Sequence, residues 1–188
     1  MQHHKHPGLP GHLAADGATL EPLAEAAGAD ARLVWFPIPD PTGREIDALE
    51  GLLCVPTRGG AMRVVAVPHV ACALAFGDEV AVADWEGEPL ARGPLASGLT
   101  GTVRVVVGDD RTWRDVAALM VGELGRDRVW LDVIGDASVA LAVRRSDLAA
   151  TFQLLAREAA TGALRWEYAT PERHADPYDA LAAELGAV

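Results

Sequence analysis

The sequence of 188 residues is poor in cysteine, in aromatic residues and in positive charge. It has 2 cysteines, 5% aromatic residues, and 16 Lys plus Arg against 27 Asp plus Glu. Cys54 and Cys72 each stand alone in an apolar run, which predicts two buried free thiols and no zinc site. A net charge of −11 without clustered cations argues against nucleic acids and anionic membranes as partners.

Motifs of the common cofactor and nucleophile sites are also missing. The sequence contains no phosphate-binding loop, no strand-linked GxGxxG, no HExxH and no GxSxG, so we expect no cofactor. The N-terminus lacks the apolar core of a secretory signal, and the longest apolar run, residues 64–76, is interrupted by Pro68 and His69. These features predict a cytoplasmic protein.

Three histidines, His3, His4 and His6, cluster near the N-terminus. Neighbouring imidazoles can bind a transition metal, but a chain without fixed structure gives the ion poor geometry. The Gly and Pro residues around them show no apolar periodicity, which is typical of a mobile segment. We therefore expect a solvated arm over Met1–Gly17 and no metal site in it.

Half of the residues are hydrophobic, which is a globular composition. After the arm, runs of β-branched residues alternate with Pro and Gly, and amphipathic helical patterns follow. These changes of pattern divide the chain into four units. They are an arm with a short helix over residues 1–30, a small curled antiparallel β-unit over 31–98, a βαββαβ unit over 99–170, and a short C-terminal helix over 171–188.

The order of elements predicts an α+β protein whose second half is a ferredoxin-like sandwich with both helices on one face of the sheet. Side chains alternate across a strand, so one polar and aromatic set collects on the helix-free face. This set consists of Arg104, Trp130, Asp132, Arg165 and Glu167. Because an open apolar face would be costly, the β-unit or a second copy of the chain must cover it. A homodimer is therefore one possible assembly.

Arg104 and Glu167 are predicted to be neighbours on adjacent strands and to form an ion pair. In one interpretation this pair is half-buried and orients the two halves of the protein. In the other it belongs to a polar cluster at the seam between the halves, where small ligands often bind. The pattern alone leaves both interpretations open.

Four further polar residues are candidates for the site. Glu50 precedes an apolar run, where a raised pKa would suit an acid or base, although a residue at this position is more often part of a turn. His69 stands three residues before Cys72, a spacing that places them on opposite faces of a strand and favours a packed or solvated histidine over an activated nucleophile. Asp78 and Ser97 read as turn residues.

Short motifs in a fixed order resemble the family catalogued as domain of unknown function 4265, from about Arg32 to Ala169. The carriers are Glu50 with Leu52-Leu53, Val67-Pro68, Gly77-Asp78-x-Val80, Ser97-Gly98, Thr102-x-Arg104-Val105 and Glu167-x-Ala169. The chain departs from the family at His69-Val70, where aromatic residues are usual, and at Leu99, where a polar residue is usual. The resemblance implies no reaction. It implies that one architectural or functional set is shared with the family, and this set consists of Glu50, Asp78, Ser97, Arg104 and Glu167.

Two functions remain open. The first is an accessory or binding protein that holds a small molecule or a basic protein partner at the seam. Its candidate binding residues are Arg104, Asp132, Trp130, Asp78, His69 and Ser97. The alternative is a small cofactor-independent lyase, isomerase or cyclase, in which Glu50 or Glu167 acts as acid or base and Arg104 holds an anionic substrate.

Overall fold

A computed structural model describes residues 2–6, 8–40, 42 and 45–169. The protein is of the mixed α+β class and contains a closed five-stranded barrel and a separate antiparallel sheet. Within the described residues, no helix is long and apolar enough to cross a membrane. The predicted C-terminal helix over residues 171–188 lies outside the part of the chain that is described.

In chain order the elements are β1 (Gln2–Lys5), β2 (Gly11–Leu13), β3 (Leu20–Pro22), α1 (Ala24–Ala27), β4 (Arg32–Pro39), β5 (Ile46–Pro56), β6 (Met62–Val64), β7 (Glu79–Trp85), β8 (Glu88–Ala96), β9 (Thr100–Val107), α2 (Trp113–Leu124), β10 (Val129–Ile134), β11 (Ser138–Arg144), α3 (Leu148–Ala159) and β12 (Leu164–Tyr168). Between residues 31 and 169, the predicted strands and helices are observed in the predicted order. The apolar run that contains His69 is the exception, since its strand ends at Val64.

The barrel is formed by β4 to β8, and β5 is the strand that closes it. The strand order is β1-β5-β4-β8-β7-β6, with a further pairing of β5 to β6. The long β5 pairs with the parallel strand β1 along its first half and with β6 along its second half. Alternate side chains of β4 and β5 fill the interior, among them Val34, Phe36, Leu52 and Cys54.

The second sheet is antiparallel and has the order β12-β9-β11-β10-β2-β3. Alternate side chains of β9, β10 and β11 pack against α2 and α3 in one core, represented by Val105, Leu131, Leu141, Met120 and Leu155. Both helices therefore lie on the same face of the sheet. The opposite face carries no helix of the described chain.

The segment of residues 65–78, which joins β6 to β7, covers the helix-free face. The hydroxyl of Thr102 donates to the carbonyl oxygen of Leu74 at 3.1 Å, and Trp130 stacks on Phe76 with ring centroids 5.2 Å apart. A Cβ atom at Gly98 would lie 2.8 Å from the Phe76 carbonyl oxygen, so the backbones meet there without room for a side chain. The first half therefore covers the part of this face around Thr102 and Trp130, whereas Val106 and Ile134 remain 42% and 40% exposed.

The first thirty residues differ from the predicted arm and helix. β1 pairs with β5 in the barrel sheet, and β2 pairs with β10 in the second sheet. α1 has only four residues and follows a short hairpin of β2 and β3. The hydrogen bonds that join β1 to β5 and β2 to β10 come from strands more than 40 residues away in sequence, and local composition carries no signal of them.

Candidate functional site at the seam

The N-terminal segment crosses from one sheet to the other, and His6 lies in the crossing. The chain leaves the barrel sheet at Lys5 and joins the second sheet at Gly11. The His6 side chain is 7% exposed. This position brings its imidazole between a carboxylate of the barrel and a carboxylate of the second sheet.

Both ring nitrogens of His6 contact carboxylate oxygens. Nδ1 donates to Oδ2 of Asp132 at 2.8 Å, and Nε2 donates to Oε1 of Glu50 at 2.7 Å. Because carboxylates only accept, both nitrogens carry a proton and His6 is an imidazolium. Burial lowers the pKa of His6, but the hydrogen bonds and charges of Asp132 and Glu50 outweigh it and raise that pKa to about 9.

Glu50 lies on the barrel face of β5, in line with Leu52, and is 0% exposed. Its two oxygens accept hydrogen bonds from the backbone amides of His69 at 2.7 Å, Val70 at 3.1 Å and Ala71 at 2.6 Å. Burial favours a higher pKa for Glu50, yet the bonds from His6 and these amides lower it below its ordinary value. Neither interpretation of Glu50 agrees with the structure, because the residue lies within β5 and not in a turn, and its pKa is lowered and not raised.

Asp132 projects from β10 on the helix-free face and is 1% exposed. His69 Nε2 donates to its backbone carbonyl oxygen at 3.1 Å and lies 4.0 Å from its Oδ1. Burial lowers the pKa of His69 to about 4, so this imidazole is neutral. The rings of His6 and His69 meet edge to face with centroids 5.0 Å apart.

Two cavities adjoin this cluster. The first has a volume of about 260 Å³ and is bordered by His6 and Asp132 at one end and by apolar groups such as Leu33, Leu53 and Ala66 along its walls. The second has a volume of about 310 Å³ and is bordered by five polar side chains and by Val106 and Trp166. Its polar members are His69, Arg104, Ser138, Arg165 and Glu167. The seam therefore offers space on both sides of its buried charges.

Arg104 and Glu167 form the predicted cross-strand pair, and their Nη1 and Oε1 atoms lie 2.8 Å apart. The Arg104 side chain is 12% exposed, whereas Glu167 is 63% exposed. The guanidinium also donates to the carbonyl oxygens of Ala71 at 2.6 Å and Pro68 at 3.5 Å. Arg104 thus fastens the loop to β9, which agrees with the interpretation that the pair orients the two halves.

The remaining predicted residues lie at other contacts. Asp78 accepts from the amides of Ala75 at 2.8 Å and Gly98 at 2.6 Å, which supports its interpretation as a turn residue. Burial raises its pKa, although both amides oppose the shift. The Ser97 hydroxyl accepts from Arg145 Nη2 at 2.9 Å. These partners are different from those of His6, Glu50 and Asp132.

The structure corrects two expectations about the thiols and the histidines. Cys54 is buried as expected, but Cys72 is exposed and its sulfur lies 3.8 Å from Arg104 Nη1. His69 turns inward to Asp132 while Cys72 turns outward, so the two form no nucleophile pair. His6, expected in a solvated arm, is buried at the centre of the site. Its two partners lie 44 and 126 residues away, so sequence spacing carries no signal of it.

Comparisons with known proteins add information about the fold. No family model matches the chain, and neither does any curated protein. Among solved structures, the chain is similar to a hypothetical protein from Neisseria gonorrhoeae with a TM-score of 0.60 and 18% identity, over 77% of this chain and 97% of that one. At this identity the likeness shows a shared fold and carries no statement about function.

Proposed function

We propose that the chain is a small binding protein that holds an amine-bearing small molecule in the cavity beside His6 and Asp132. The carrying observation is that the cavity is lined by apolar groups and by Asp132, and that the described residues supply no hydrogen-bond donor to the buried Oδ1 of this carboxylate. An apolar body with a donating head group complements such a cavity. A volume of about 260 Å³ limits the ligand to a small molecule.

The charges at the end of this cavity favour a cationic head group. His6 carries one positive charge, Glu50 and Asp132 carry two negative charges, and His69 is neutral, which leaves one negative charge. A buried net charge is costly unless a partner compensates it. Lys5 also borders the cavity, but its side chain is exposed and its charge is screened by water.

Benzylamine and phenylacetate test this proposal as matched probes of opposite charge. They are titrated in the presence of a chelator while the methyl NMR signals of Leu33, Leu53 and Ala66 are followed. We expect benzylamine to shift these signals and phenylacetate to bind at least about tenfold more weakly, a difference of about 1.4 kcal/mol. Equal binding of both probes, or no shift with either, would contradict the proposal.

A cavity-filling variant provides the control. Leu53→Trp places a large ring in the cavity and should abolish the benzylamine shifts of Leu33 and Ala66. Leu95→Trp adds the same ring at a leucine that is 62% exposed and does not border this cavity, so it should leave the shifts unchanged. Retained binding in Leu53→Trp would place the ligand elsewhere.

The second candidate function is the cofactor-independent lyase, isomerase or cyclase. It is favoured by the other cavity, where His69, Arg104, Arg165 and Glu167 meet, an arrangement suited to an anionic substrate. Glu50 is no longer a candidate acid or base in this hypothesis, because both of its oxygens already accept hydrogen bonds and the carboxylate is ionised. Binding of a carboxylate such as phenylacetate that shifts the Val106 methyl signals, and is lost in Arg165→Gln, would favour this candidate.

Further parts of the proposal concern family and assembly. The order β12-β9-β11-β10 with α2 and α3 on one face supports a ferredoxin-like unit over residues 99–170. The ordered motifs support membership of the domain of unknown function 4265 family. The net charge of −11 supports a basic protein as an alternative partner. A cytoplasmic location and a homodimer rest on the sequence, and sedimentation of the purified protein tests the dimer.

A further inference from the structure

One oxygen of the buried cluster has an unmet bonding requirement. Oδ2 of Asp132 accepts from His6, whereas Oδ1 has no partner among the described residues although Asp132 is 1% exposed. The nearest nitrogen of His69 lies 4.0 Å away and donates to the Asp132 backbone instead. A buried carboxylate oxygen without a partner costs free energy, so a cation bound beside it would be stabilising.

We propose that His6, His69 and Asp132 bind one divalent transition-metal ion, for which Zn²⁺ is the best match. Two imidazoles and one carboxylate are the borderline donors that Zn²⁺ takes, whereas Mg²⁺ and Ca²⁺ prefer sets made of oxygen. Three protein ligands leave a fourth position, which water or a ligand from the cavity beside His6 and Asp132 completes. This inference goes beyond the proposed function and does not rest on it, because the ion and an ammonium group are alternative partners of Asp132 Oδ1 and the amine titration is made in the presence of a chelator.

The three side chains are close to the distances that coordination requires. Their ligand atoms all lie within 4.8 Å of one another. With metal–ligand bonds of the usual length, neighbouring ligand atoms of a tetrahedral ion are about 3.4 Å apart. A contraction of up to about 1.4 Å suffices, which rotations of the side chains can supply. In that state His6 Nδ1 moves its contact from Asp132 to the ion, and His69 coordinates through Nε2 with its proton on Nδ1.

The charge of the cluster favours a divalent ion over a single proton. With His6 protonated, the cluster of His6, Glu50 and Asp132 retains one negative charge. When the ion binds, His6 loses its Nδ1 proton to the solvent, and two positive charges replace one. The buried cluster then becomes neutral, which removes the cost of an uncompensated charge.

Glu50 occupies the position of an outer partner of the ion. It accepts the Nε2 proton of His6 at 2.7 Å and is itself fixed by the amides of residues 69–71. Histidines that bind a metal commonly donate their other N–H group to a carboxylate, which fixes the tautomer and orients the ring. The same bond leaves His6 Nδ1 free for the ion once its proton has left.

Zinc titration of the full chain against a fluorescent chelator tests the site. We expect one equivalent of Zn²⁺ to bind the wild-type protein, with no comparable binding of Mg²⁺. His69→Gln and Asp132→Asn should each weaken binding at least about tenfold. A glutamine at position 69 can still donate to the Asp132 carbonyl oxygen, so this variant can keep the hydrogen bond that His69 makes while it removes the imidazole.

The double variant His3→Gln/His4→Gln is the matched control, because the exposed His3 and the half-buried His4 lie in β1 beside His6 but outside the proposed ligand set. It should bind Zn²⁺ like the wild type. Loss of binding in this control, wild-type affinity in His69→Gln, or no stoichiometric binding at all would overturn the proposal. Circular dichroism checks that each variant is folded.

A measurement on the wild-type protein tests the metal site without any substitution. Paramagnetic Co²⁺ is added in place of Zn²⁺, and the amide NMR signals are followed. The amides of His69, Val70 and Asp132 should shift or broaden first, before those of His3 and His4. Initial effects at His3 and His4 would assign the ion to the exposed strand and overturn the proposal.

Discussion

Two ion pairs hold the same loop from opposite sides, in different surroundings. Glu50, from the barrel, accepts the amides of residues 69–71. Arg104, from the second sheet, donates to the carbonyl oxygens of Pro68 and Ala71. The partner of Glu50 is the buried His6, whereas the partner of Arg104 is Glu167, which is 63% exposed.

The difference shows what a charge contributes at each place. At Glu50 the carboxylate has lost all contact with water, so its free energy depends on every donor around it. At Glu167 water can replace the lost partner, and the ion pair itself contributes little. We therefore expect substitutions in the buried cluster of His6, Glu50 and Asp132 to lower stability strongly. Substitutions at the rim of the seam, which is the Arg104–Glu167 pair, should have smaller effects.

The largest effect should follow from Glu50→Gln. This change removes the charge that pairs with His6 and turns an amide group toward backbone donors, so it should lower the free energy of unfolding by about 3 to 5 kcal/mol. Urea denaturation measures the change. Glu88→Gln, at an exposed position of β8, is the matched control and should change stability by less than about 0.5 kcal/mol. A loss below about 1 kcal/mol in Glu50→Gln would contradict the role of the buried anchor.

The pH dependence of the metal-free protein should report the cluster next. The pKa of His6 is raised from 6.5 to about 9 by Asp132 and Glu50 against the opposing effect of burial. Its contribution is fully present below pH 6.5 and is lost as the pH rises to about 9. In a chelating buffer, stability should fall by about 3 kcal/mol across this window.

The groups that face His6 do not reverse this sign. Glu50 is ionised throughout the window because its pKa is lowered, and His69 is neutral because its pKa is about 4. His6→Gln is the control and should show a flatter profile between these pH values. A wild-type profile as flat as that of the variant would contradict the imidazolium.

At the rim, Arg104→Ala and Glu167→Gln should differ from each other. Arg104→Ala leaves two loop carbonyls without their donor and should cost about 1 to 3 kcal/mol. Glu167→Gln weakens only an exposed pair and should cost less than about 1 kcal/mol. Thermal and urea unfolding of both variants measure the difference. Equal costs would show that the ion pair, and not the loop contacts, is what Arg104 provides.

The pairing of Arg104 with Glu167 could be predicted from the sequence, whereas the buried cluster of His6, Glu50 and Asp132 could not. Strand alternation and the order of elements determine that Arg104 faces Glu167, because both lie in one regular sheet. Glu50 belongs to the barrel sheet, Asp132 belongs to the second sheet, and His6 lies in the crossing between them. Their contact depends on how the N-terminal segment crosses the seam. The composition of residues 1–17 predicts a mobile arm that includes His6. The prediction fails because the pairing of β1 with β5 is a tertiary contact that no local pattern indicates.

A pair of double-mutant cycles in chelating buffer tests the central claim most directly. One cycle combines His6→Gln with Asp132→Asn, and the other combines Arg104→Gln with Glu167→Gln. The coupling free energy should be about 2 kcal/mol or more for the buried pair and below about 1 kcal/mol for the rim pair. Equal couplings, or a larger value at the rim, would contradict the account that His6 joins the two sheets.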